Sequence, residues 1–267
     1  DMTSSGIPVS MNYRLYEVTY QCMPDRRAHA YLAIPNTKEK RGAVLAIGGH
    51  GTSGESVMHT QGYCNYGRHL AEMGYVVLSP DTGDHNVQHQ AWTVMGQSAW
   101  TAIVSIDYLL SRPEVDAKKG VAVCGLSMGG ELTMYVAALD ERVIIADAAG
   151  FLCRTELMRM HEGHCPCWLF PGLEENFDFP DVFALAAPRR LILEIGEGPE
   201  PDFPTGLAET TYIEVRKAYE VFDAEDKVTF VPHRGGHTMD GHLFYRLLNE
   251  MLGTPFQRGE IRRAPTM

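Results

Sequence analysis

The chain has 267 residues, 45% hydrophobic and 21% charged, with a formal net charge of −11 at pH 7. That composition is globular and excludes a disordered or collagen-like chain, and the length suits a single α/β domain that needs neither disulfides nor metal to fold. No run of Lys or Arg exceeds two residues and no apolar run nears the roughly 18 residues of a membrane span, which argues against nucleic acid and membrane as partners. No basic segment followed by an apolar stretch marks a signal peptide at the start. The six cysteines (Cys22, Cys64, Cys124, Cys153, Cys165 and Cys167) are too sparse for a disulfide framework. A cytoplasmic, reducing compartment is the expectation, with export after removal of a leader as the alternative. Nothing in the sequence speaks to oligomeric state.

In chain order, residues 13–20 and 28–34 alternate as half-buried strands. Residues 43–47 and 75–79 are continuously apolar, the pattern of parallel strands buried on both faces, and 65–73 reads as the helix between them. Trp92, Met95, Ala99, Ile103, Ile106 and Leu110 recur at steps of three or four, which predicts a long amphipathic helix stopped near Pro113, its tryptophans packed in the core. Strands follow at 121–124, 143–148, 190–195 and 227–231, and helices at 128–139, 207–222 and 239–252. Residues 151–180 show no period and read as a loop or short cap. The alternation predicts a mostly parallel sheet with helices on both faces and an antiparallel edge. Ligands of such sheets bind at the carboxyl ends of the strands.

The motif Gly125-Leu126-Ser127-Met128-Gly129 lies between the strand at 121–124 and the helix at 128–139. G-x-S-x-G in that context is a nucleophile elbow, a turn so tight that only glycine fits two residues either side of the serine. A serine hydroxyl needs a base, and in this arrangement the acid and then the histidine follow in sequence. His237 falls just after the strand at 227–231 and before the last helix; His233, nearer the strand, and His242, inside the helix, compete with it. The acid is expected after the strand at 190–195, where Glu197, Glu200 and Asp202 all lie; Asp147, after the preceding strand, is a further option.

These motifs resemble the α/β-hydrolase superfamily, and within it the dienelactone hydrolase and acetyl xylan esterase-like group. Supporting stretches are Gly49-His50-Gly51, Ser111-Arg112-Pro113-Glu114-Val115-Asp116, the segment 138–143 and the segment 185–190, so the likeness spans about 25–255. The resemblance implies an acid loop in which Glu200 of Glu200-Pro201-Asp202-Phe203-Pro204 takes the acid position, with Asp202 as alternative. It also implies an oxyanion hole from the backbone N–H groups of Met128 and His50, or of Gly51 in place of His50. The function it implies is a serine esterase for short-acyl esters, acetylated carbohydrate among them, working on a small-molecule substrate without a cofactor. A serine peptidase of prolyl-oligopeptidase type and a non-catalytic binding protein on the same fold are the alternatives.

Two polar clusters have no place in that scheme. His161, His164, Cys165 and Cys167 match zinc in ligand number but not in spacing, and Asp81, Asp84, His85 and His89 follow the strand at 75–79. No metal is expected at either; the second is read as substrate contact or solvated loop.

Overall fold

The computed structural model describes residues 2–8 (backbone only), 12–59, 64–83, 85, 87, 91–160, 164–198 and 203–253. Nine strands form one sheet among them: β1 (Met2–Pro8), β2 (Tyr13–Met23), β3 (Arg26–Pro35), β4 (Ala43–Ile47), β5 (Val76–Pro80), β6 (Val121–Leu126), β7 (Val143–Ala149), β8 (Arg190–Gly196) and β9 (Val228–His233). Their order is β1-β2-β3-β5-β4-β6-β7-β8-β9. The first three pair antiparallel and join β5 antiparallel; from β5 to β9 every pairing is parallel. This is the α/β-hydrolase fold.

Every residue of β4, β5 and β6 is buried, which explains their unbroken apolar runs. Alternate residues feed two cores. Leu45, Leu78, Val123 and Leu193 face one side, while Val44, Val77, Cys124 and Ile192 face the other.

The first core is covered by α3 (Val94–Leu110), α4 (Met128–Leu139), α7 (Phe179–Ala184) and α8 (Thr205–Glu220); the second by α1 (Gly54–His59), α2 (Tyr66–Glu72) and α9 (His242–Leu252). Two further short helices, α5 (Thr155–Met160) and α6 (Leu173–Asn176), lie in the segment between β7 and β8.

Several expectations need adjusting. Strand β1 and helix α1 were not foreseen, and the unperiodic stretch 151–180 holds α5, α6 and the start of α7. Each of these three has six residues or fewer, too short to show a 3.6-residue period. The long helix begins at Val94, because Thr93 caps it by accepting a hydrogen bond from the Gly96 N–H at 3.0 Å. Trp92 therefore precedes the helix, and neither tryptophan is in the core: Trp92 and Trp100 are 37% and 43% exposed and meet edge to face. Helix α9 starts at His242, after left-handed Gly241, and not at 239.

Candidate active site

The chain runs from β4 outward to β5 and then returns to β6 on the other side, so the sheet's switch point lies at β4. The loops leaving the carboxyl ends of β4 and β6 meet there. Ser127 leaves β6 with φ 63° and ψ −127°, a backbone conformation that side chains rarely adopt. Its N–H donates to the Ala149 carbonyl at 2.9 Å, which ties the turn to β7. The glycine requirement is visible in the contacts. A Cβ on Gly125 would lie 2.3 Å from the Gly129 oxygen, and one on Gly129 would lie 2.2 Å from the Ile47 oxygen.

Helix α4 starts at Met128, so the first N–H groups of that helix lie just after Ser127. The loop after β4 passes against the serine: a Cβ on Gly49 would be 3.2 Å from Ser127 Cβ. Tyr66 donates its hydroxyl to the Ile47 carbonyl and fixes the start of that loop. The Gly51 N–H donates to Gly83 O at 3.3 Å, and Thr52 N–H to Gly49 O at 3.2 Å.

His50, Ser127, Met128, Glu131, Gly150, Phe151, His164 and Phe203 line a small cavity of ≈ 40 Å³. Glu131, one turn into α4, is 1% exposed, and burial pushes its carboxyl up to about 8. Its Oε1 has no hydrogen-bond partner among the described residues. The His50 imidazole is pushed down to about 4, first by burial and then by the neighbouring imidazoles of His85, His164 and His237.

The loop holding His237 is built on β8. Glu197 N–H donates to His233 O at 2.7 Å, and Gly198 N–H to Gly235 O at 2.8 Å. The end of β8 and this loop approach so closely that a Cβ on Gly196 would be 1.9 Å from Gly236 O. Beyond the loop, Glu194 accepts from the N–H groups of Asp240 at 2.8 Å and Gly241 at 3.0 Å. Glu194 is fully buried and faces Asp147, equally buried on β7. Burial first, and then the mutual repulsion of the pair, raises Asp147 far above the usual carboxylate range; burial raises Glu194 to about 7.

The expected site residues fall into three groups. Ser127, Met128 and His50 line one cavity, and His237 contributes to the electrostatic environment of the His50 imidazole in its wall. Glu200 and Asp202 lie outside the described residues; the flanking Gly198 touches the His237 loop, and Phe203 lines the cavity. The other candidates are spread out. His233 ends β9 and its Nδ1 accepts from Gly235 N–H, while His242 is exposed at the start of α9. Glu197 is exposed, and Asp147, on β7, is buried beside Glu194.

Of the two polar clusters, Asp81 pairs with His29 at 2.7 Å, and Asp84, His89 and His161 lie outside the described residues. His164 Nδ1 lies 2.9 Å from Cys165 O. The remaining members regroup, bringing His50 and His85 to Cys165 and Cys167. No cysteine is in a disulfide.

Sequence reasoning missed Glu131 and Glu194. Glu194 left a trace, a lone carboxylate inside an otherwise apolar strand.

A profile of the dienelactone hydrolase family matches residues 28–177. Among solved structures, a candidate acetyl xylan esterase of Bacteroides fragilis NCTC 9343 is similar at TM-score 0.75 and 18% identity, over 94% of this chain and 82% of that one. A glucuronoyl esterase of Caldicellulosiruptor kristjansonii is similar at TM-score 0.65 and 19% identity, over 93% and 77%. At these identities the likeness is one of fold.

Acylamino-acid-releasing enzyme 2 of Oryza sativa subsp. japonica is 30% identical over 122 residues, 43% of this chain and 15% of the relative. The candidate hydrolase YtaP of Bacillus subtilis (strain 168) is 25% identical over 143 residues, 48% of each chain. The match thus spans about half or less of these curated relatives' length. The family profile covers more than half of the chain, from β3 through the β6–α4 turn into the segment between β7 and β8, and the chain belongs to the dienelactone hydrolase family.

Proposed function

We propose that the chain is a serine hydrolase of short-acyl carboxylic esters, acetylated carbohydrates among them. The observation that carries this reading is the strained backbone of Ser127 at the β6–α4 turn, beside a cavity that its side chain lines. Strain at a left-handed non-glycine residue persists where a function requires it.

Ser127 Oγ attacks the ester carbonyl while His237 removes its proton. The tetrahedral oxyanion is held by the N–H groups of Met128 and His50. Gly51 is the weaker choice for the second donor, because its N–H already bonds Gly83 O. His237 then protonates the leaving alcohol, and a water that it deprotonates releases the acid from the acyl-enzyme. Glu200, or Asp202, orients His237. The two backbone bonds joining the loop before residue 199 to the loop before His237 support an acid in this segment.

Ser127→Ala should stay folded and lose p-nitrophenyl acetate hydrolysis by roughly 10³-fold or more, and a serine-reactive phosphonate should label Ser127 alone. Undiminished turnover would overturn the reading. In the same assay Glu200→Gln should cost about 10⁴-fold and Asp202→Asn little; the reverse pattern moves the acid to Asp202 and leaves the esterase intact.

The match to an acylamino-acid-releasing enzyme favours a second reading, release of acylated amino acids. Faster turnover of an N-acetyl-alanine anilide than of any acetate ester would select it.

A further inference from the structure

The backbone role given to His50 leaves its imidazole unexplained. Its Nε2 lies 3.0 Å from Cys167 Sγ, and Cys165 Sγ lies 3.7 Å from His85 Nε2 and 3.9 Å from Nδ1. One ligand atom from each of the four residues falls within 4.8 Å of all the others. The four come from three separate segments: the loop after β4, the loop after β5, and the turn Pro166–Trp168 with the cysteine preceding it.

We infer that His50, His85, Cys165 and Cys167 form a tetrahedral site for a soft divalent cation, Zn²⁺ above all, that clamps the cap to the loops after β4 and β5. Two thiolates and two imidazoles are a donor set that zinc takes in closed structural sites. With Zn–S near 2.3 Å and Zn–N near 2.0–2.1 Å, tetrahedral geometry places ligand atoms about 3.3–3.8 Å apart. The observed separations bracket that range, so the ligands need to move by less than about 1 Å to meet a metal.

The short Cys165-Pro166-Cys167 spacing, which argues against zinc in the sequence, is offset by the fold: the other two ligands arrive from 80 and 117 positions away. The metal replaces the two thiol protons, which leave to solvent, and two thiolates balance its charge. Four protein ligands leave no open position, so the ion holds structure and the ester chemistry stays with Ser127.

The site stands whether or not the esterase reading does, because its test reads metal and not turnover. The full chain, reduced with a phosphine and stripped with a chelator, is titrated with Co²⁺ and then Zn²⁺. The expected result is one Co²⁺ per chain with a thiolate-to-cobalt charge-transfer band, displaced by one equivalent of Zn²⁺, and a raised Tm with Zn²⁺.

Cys165→Ser/Cys167→Ser should abolish the band. His85→Ala, at an exposed position that folding does not need, should weaken Zn²⁺ binding by more than the roughly 10–100-fold that outer partners of a metal command. Circular dichroism checks that both variants fold. Absence of the band in the folded reduced chain would overturn the assignment, as would stoichiometric binding unchanged in the His85 and double-cysteine variants.

Discussion

A buried carboxyl has a measurable energetic signature, and Glu131, in the wall of the cavity that Ser127 also lines, is the one to follow. It sits four residues after Ser127, its N–H donating to the Ser127 carbonyl at 3.0 Å, with its side chain in the cavity wall. Burial holds its carboxyl near 8, so at neutral pH it is protonated and presents a hydrogen-bond donor to the pocket. In the unfolded chain it ionises near the ordinary value of 4.5. Between these two values the unfolded state gives up its proton while the folded state keeps it, so folding stability falls as pH rises and levels off above 8. The slope from this one group approaches about 1.4 kcal/mol per pH unit. Glu131→Gln should remove that slope in urea titrations from pH 5 to 9, and parallel curves for the two proteins would refute the assignment. From sequence, a glutamate in the first turn of a helix reads as a solvated complement to the helix dipole. Gly125 and Gly129, flanking Ser127, were legible because a steric rule fixes them. Glu131 was not, because nothing local distinguishes a first-turn carboxylate that faces solvent from one that faces a cavity.

At the scale of elements, one polar link binds the antiparallel edge to the parallel sheet. His29 on β3 holds Asp81 just beyond β5 at 2.7 Å and Glu17 on β2 at 2.8 Å, and Asp81 also accepts the Gly54 N–H at the start of α1. Partial burial opposes the charge on His29, but the hydrogen bonds to Glu17 and Asp81 outweigh it and its pKa is raised. The stabilisation is therefore complete below the unfolded value of about 6.5 and is lost as pH rises through the higher folded value. With Glu17 more than half exposed, solvent screening keeps the gain below about 1 kcal/mol. His29→Gln should flatten this part of the pH dependence and leave the far-UV spectrum unchanged; wild-type pH dependence in the variant would exclude the link. The elements themselves were largely readable. Strands buried on both faces announce themselves as apolar runs, and α3, 17 residues long, shows its period. α1, α5 and α6 span six residues or fewer, and tertiary contacts rather than pattern make them helical.

For the whole molecule, strand order decides where chemistry collects. Alternating strands and helices predicted that polar groups would gather at the carboxyl ends, but not which loops would meet. His50, His85, Cys165 and Cys167 share a place because the sheet switches direction at β4 and the segment between β7 and β8 brings Cys165 and Cys167 to the loops after β4 and β5. The same arrangement bears on the short-acyl substrate proposed above. Between β7 and β8 the described residues form only short helices; Phe151 and Phe203 stand in the cavity wall, with ≈ 40 Å³ of room as the described residues bound it. A water needs roughly 10–15 Å³ of such room, so the space suits an acetyl group and not a long acyl chain. Were the chain buried on binding, each methylene would contribute about 0.8 kcal/mol, close to a fourfold rise in kcat/KM per carbon. We expect the opposite slope: kcat/KM for p-nitrophenyl esters falling from acetate through butyrate to decanoate, with no jump as the longer esters pass their solubility limit. No described helix is long and apolar enough to cross a membrane, and none of those between β7 and β8 exceeds six residues, too little for a lipase-type lid domain that would open at an interface. A rising slope, even a twofold gain per added pair of carbons, would mean that the cavity opens into a channel and would overturn the short-acyl assignment while leaving the proposal for Ser127 intact.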